Sequence, residues 1–70
     1  MISAREAGKI VRNWLRSQHV DVIVKARTVS FSDLARASAV FVQIEDGEAL
    51  TQAEWKHIYM LATNNKFFIG

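Results

Sequence analysis

Apolar residues return at Ala7, Ile10, Val11, Trp14 and Leu15, the i, i+3, i+4, i+7, i+8 spacing that lines one side of a helix. Ser3 followed by Glu6 is a capping-box pattern, in which the hydroxyl accepts from an orphan N–H and the carboxylate reaches back. The pattern therefore predicts a first helix from Ser3 to about Gln18. Gly8 inside it costs roughly 0.5–1 kcal/mol relative to Ala, which points to a close packing contact at that position.

After His19 the period changes to two. Val20, Val22, Val24 and Ala26 alternate with Asp21, Ile23, Lys25 and Arg27, and the β-branched content fits a strand continuing through Thr28 and Val29 toward Phe31. Ser32 to Ala37 reads as a connection that closes as one helical turn. From Ser38 to Glu45 the alternation resumes, with Val40, Val42 and Ile44 on one face and Ala39, Phe41 and Gln43 on the other. This second strand is expected to run antiparallel to the first.

Glu45, Asp46, Gly47 and Glu48 carry turn chemistry, and Thr51 with Glu54 repeats the capping-box pattern. Trp55, Ile58, Tyr59 and Ala62, widened by Leu61, give a second helical stripe. Asn64 and Asn65 supply residues that tolerate the left-handed turn ending such a helix. Phe67, Phe68 and Ile69 then form a short third strand. The expected fold is α+β, a single domain over residues 1–70 in the order αββαβ, with both helices on one face of a small, mainly antiparallel three-stranded sheet. A right-handed crossover makes strand three parallel to strand two, and it is placed beside strand one; an order with strand two central satisfies the same pattern.

Composition narrows what such a domain can do. Half of the 70 residues are hydrophobic and the aromatics are spread along the chain, as in a folded globule. There is no cysteine, so neither disulfides nor thiolate metal sites supplement the core. No apolar run approaches the roughly 18 residues of a membrane span and no leader pattern is evident, so a cytoplasmic, soluble protein is expected.

The chemistry-bearing residues are sparse. His19 and His57 are the two histidines, too few for the usual zinc ligand sets, and neither a metal nor a cofactor is expected. His57, one turn from Glu54, has neither a nucleophile nor an oxyanion donor associated with it and reads as a half-exposed helix histidine. The acidic turn lacks the alternating ligands of a calcium loop, and no phosphate-cradling glycine loop occurs. The chain is accordingly read as a non-enzymatic binding module.

Two surfaces are left for a partner. Inward-facing even residues on strand one leave Ile23, Val29, Phe31 and Phe41 as an apolar patch on the uncovered sheet face, suited to a protein partner or a homodimer. A one-residue bulge near Ser30 would turn Phe31 inward. The alternative is nucleic acid. Arg5, Lys9, Arg12 and Arg16 recur at i, i+4, i+7 and i+11 along one side of the first helix, and Lys25 and Arg27 stand beside the sheet-face aromatics. The net charge of +2 is modest, so it is the placement of charge that carries this reading.

The stretch Val24 to Ile44, VKARTVSFSDLARASAVFVQI, resembles small proteins and domains of phages and other mobile elements, among them a domain associated with large polyvalent phage proteins. Arg27, Thr28, Ser30 and Phe31, then Ser38 and the strand through Ile44, carry the likeness; Asp33, Leu34 and Ala35 stand where glycines are common in that group. The resemblance implies a mobile-element setting and no catalytic residues.

Overall fold

The computed structural model describes residues 2–31 and 37–70. Helix α1 spans Ala4–Ser17, strand β1 Val24–Phe31, strand β2 Ala37–Ile44, helix α2 Gln52–Asn65 and strand β3 Phe68–Ile69, with one 3₁₀ turn at Gly47–Ala49 before α2. The architecture is α+β in the order αββαβ. The connection between β1 and β2, read from sequence as a helical turn, lies outside the described residues except for Ala37, which belongs to β2.

Both helices start where the caps place them. Ser3 Oγ accepts from the Glu6 N–H at 3.1 Å. In α2 the reciprocal box closes fully, with the Glu54 N–H donating to Thr51 Oγ1 at 3.1 Å and the Thr51 N–H donating to Glu54 Oε1 at 2.7 Å.

The helix ends differ from the sequence expectation. His19 takes a left-handed backbone, φ 59°; its N–H donates to Arg16 O at 3.0 Å and the Val20 N–H to Leu15 O at 2.9 Å. This paired closure satisfies the last carbonyls and folds Val20 back onto the core. Consequently β1 begins at Val24 rather than Val20, because Val20 and Val22 serve the helix end and the core instead of a ladder. At the end of α2 it is Lys66, φ 58°, that turns left-handed, not Asn64 or Asn65. The Phe67 N–H donates to Ala62 O at 3.0 Å, while Asn65 Nδ2 donates to Leu61 O at 2.9 Å.

The sheet order is β1-β2-β3, with β2 central. The placement of the third strand beside the first is therefore corrected: β3 pairs with β2, parallel as expected, through Phe41↔Phe68 and Val42↔Ile69. The Gly70 N–H donates to Val42 O at 3.0 Å and the Ile44 N–H to Gly70 O at 3.2 Å. Packing supplies the reason. A methyl group at Gly8 would lie 3.2 Å from Ala26 Cβ, so α1 is pressed onto β1 and the chain leaving α2 comes down beside β2.

The core is drawn from both helices and the two long strands: Ala7, Val11 and Leu15 of α1, Val24 of β1, Val40, Val42 and Ile44 of β2, and Ile58 and Ala62 of α2, joined by Leu50 ahead of α2 and Phe67 ahead of β3. Tyr59, assigned to the α2 stripe from sequence, is exposed. Ile58 and Ala62 centre the buried arc, and at 100° per residue Tyr59 falls at its margin, where its ring lies 5.7 Å from that of Trp55. Trp55 itself fixes the approach to α2: Nε1 donates to Gly47 O at 2.9 Å. A Cβ on Gly47 would stand 2.6 Å from the indole, so only glycine fits beneath that ring.

Candidate partner-binding face

Two helices on one side of a three-stranded sheet leave its other side open. The β1–β2 register is continuous from Val24↔Ile44 to Phe31↔Ala37, so no bulge intervenes at Ser30 and the period-two assignment of faces holds along the whole strand. Lys25 pairs with Gln43, Arg27 with Phe41, Val29 with Ala39 and Phe31 with Ala37, all on the open face.

The strand order adds a residue that the sequence left unassigned. With β3 beside β2, Phe68 registers against Phe41, and the two rings stack with centroids 5.0 Å apart and planes at 20°. Phe68 is 59% exposed. Its alternation with buried Phe67 and half-buried Ile69 was readable, yet a β3 placed beside β1 would have put it far from Phe41.

The four apolar residues expected to form one patch are not contiguous. Ile23 precedes β1 and is 59% exposed; Phe31 closes β1 and is 41% exposed. Eight residue-to-residue steps of extended chain separate them by roughly 26 Å, and Lys25 and Arg27 lie between. Val29 is half-buried. The face thus has an aromatic centre, Phe41 with Phe68, bordered by a shallow groove along Lys25, Arg27, Gln43 and Gly70. Lys25 Nζ is 2.7 Å from Glu45 Oε1, an exposed pair that offsets part of the positive charge there.

The cations proposed for nucleic acid occupy two sides of the sheet. Arg5, Lys9 and Arg16 are exposed on α1, across the sheet from Lys25 and Arg27. Arg12 is half-buried, and its Nη2 donates to Val24 O at 3.3 Å. That bond ties the basic flank of α1 to the outer edge of β1.

His57 packs flat against Trp14, ring centroids 4.2 Å apart and planes at 14°, where α1 meets α2. Among the described residues, no group of three or more potential metal ligands lies together, and no helix is long and apolar enough to cross a membrane. No family model, curated protein or solved structure matches the chain.

Proposed function

We propose that this chain is a non-enzymatic binding module that engages a protein surface, a second copy of itself included, through the open sheet face. The stacked Phe41–Phe68 pair carries this reading: two large rings meet on a solvated sheet face, with one of them more than half exposed. Aromatic rings combine large contact area with little rotamer entropy to lose, which is why they anchor interfaces. The stacking of His57 on Trp14 gives that histidine a packing role, in keeping with a module without catalysis. A cytoplasmic, mobile-element setting accompanies the proposal, and the Val24 to Ile44 resemblance supports the mobile-element part of it.

Sedimentation equilibrium of the wild type, Phe41→Asp and Phe68→Asp tests the self-associating form, with circular dichroism as the control on folding. Association lost in Phe68→Asp with the helical signal intact supports the open face; association unchanged in both variants overturns it. A wild type that stays monomeric at every concentration removes the homodimer.

The nucleic-acid reading stands second, favoured by the run of Arg5, Lys9 and Arg16 exposed along one flank of α1. It predicts DNA or RNA binding that weakens steeply with salt, because displaced counterions dominate the free energy. Anisotropy titrations at several salt concentrations check it, and absence of binding at low salt ends it.

A further inference from the structure

The outer edge of β1 is a surface distinct from the open face. The Glu45 N–H donates to Ile23 O at 2.9 Å, so the backbone groups of Ile23 point toward β2. Main-chain groups alternate sides along an antiparallel strand, so those of Lys25, Arg27, Val29 and Phe31 also face β2. The N–H and C=O groups of Val24, Ala26, Thr28 and Ser30 therefore point away from the sheet. The bond from Arg12 Nη2 to Val24 O confirms that direction independently. Among the described residues, no hydrogen bond reaches the outward groups of Ala26, Thr28 or Ser30, and Thr28 and Ser30 are exposed.

An unpaired edge of this length is a template for another strand, and proteins normally blunt it. Here the edge runs between two cationic banks. On the helix side stand Lys9, Arg12 and Arg16, on the stretch of α1 tied to β1 by the Arg12 bond and by the approach of Gly8 to Ala26. On the open side stand Lys25, partly offset by Glu45, and Arg27.

We propose that the β1 edge accepts an extended, acidic peptide segment of a partner protein as a fourth strand. Three features select that occupant. Alternating N–H and C=O groups repeat about every 6.8 Å along the edge, and a peptide main chain matches that repeat with a donor and an acceptor at each step. Side chains of an added strand point alternately to the two faces, so acidic residues on successive positions would meet the α1 bank and the Arg27 side in turn. A second copy of this chain is disfavoured, because β1 pairing with β1 across a two-fold axis brings two α1 cationic flanks together. Phosphates are attracted by the same charge but cannot satisfy the edge donors and acceptors in register.

The probe is a labelled synthetic peptide of repeating Glu-Glu-Val-Val, which places Glu on both faces of an extended strand, titrated into the full chain by fluorescence anisotropy, with ¹⁵N-resolved amide exchange read in parallel. Binding should protect the Ala26, Thr28 and Ser30 amides from exchange. N-methylation of consecutive peptide nitrogens, which blocks both edges of the peptide and leaves charge untouched, should abolish binding, and the double variant Lys9→Glu/Arg16→Glu should weaken it about tenfold or more. A Glu-to-Lys version of the peptide should not bind. The proposal is overturned if the N-methylated peptide binds as well as the parent, if protection appears elsewhere than on β1, or if the parent peptide does not bind. A single-stranded DNA of equal charge that protects the same three amides would also sink it. Phe68→Asp should leave peptide binding unchanged, which separates this edge from the open face.

Discussion

The two faces of one three-stranded sheet differ by a single step in the alternation. Val24, Val42 and Ile44 are buried beneath the helices, while their sequence neighbours Lys25, Phe41, Gln43 and Glu45 meet solvent wholly or in part. Residue type follows face closely at this end. Toward the other end of β1 the rule loosens: Thr28 and Ser30 point to the helix side and yet are exposed. Alternation determines where a side chain points, whereas burial depends on what crosses above it. Here α1 presses on Ala26 through Gly8, and its N-terminal end leans away toward Ser38–Val40 of β2.

If that contrast is energetic, truncations on the two faces must differ sharply. Leu15→Ala and Ile58→Ala empty fully buried positions and should each cost about 2–5 kcal/mol. A domain of 70 residues carries only roughly 4–10 kcal/mol in total, so either substitution should leave a substantial unfolded population at moderate urea. Phe68→Ala, of similar chemistry but on the open face, should cost less than about 1 kcal/mol. Urea titrations followed by tryptophan fluorescence give all three numbers, and equal costs would erase the distinction between the faces.

Gly47 tests whether covered packing extends to the turn ahead of α2. The Cβ of Gly47→Ala meets the Trp55 indole at 2.6 Å, and the ring is held by its bond to Gly47 O. A destabilisation of about 1–3 kcal/mol is expected. Thermal melts of Gly47→Ala alone and with Trp55→Phe measure it; a cost that persists in full in the double variant would locate the strain elsewhere.

The open face has its own energetics, on a smaller scale. A double-mutant cycle of Phe41→Ala and Phe68→Ala should return a coupling of about 0.5–1 kcal/mol from the stacked rings, within the cost of Phe68→Ala alone. Because β3 has two residues in the ladder, this contact helps hold it against β2. A coupling near zero would mean that the rings are neighbours without being partners.

Much of this was legible in the chain. Helix starts, strand phases and the open-face membership of Lys25, Arg27, Val29, Phe31 and Phe41 follow from caps and alternation, which act within a few residues. Strand order did not follow, because it depends on whether α1 or α2 lies above β1, a packing choice made by Gly8 against Ala26. Phe68 joined the face only once that choice was known. The tether from Arg12 to Val24 O was likewise invisible, since helical spacing placed Arg12 in a solvated row and gave no account of an edge strand beside it.

The smallest predicted effect concerns the residue that sets the phase separating the faces. His19 ends α1 with a left-handed backbone, which sends Val20 onto the core and delivers Val24 to β1 facing inward. A β-carbon in that conformation costs roughly 1 kcal/mol, and glycine avoids the cost while paying more entropy in the unfolded chain. The exposed His19 side chain has no hydrogen bond among the described residues, so little is lost with it. His19→Gly should therefore stabilise the fold by about 0.5 kcal/mol, read as a higher urea midpoint at unchanged slope. A loss of stability would show that the His19 side chain contributes more than its backbone costs. The phase of β1 would then depend on that side chain as well as on the helix end.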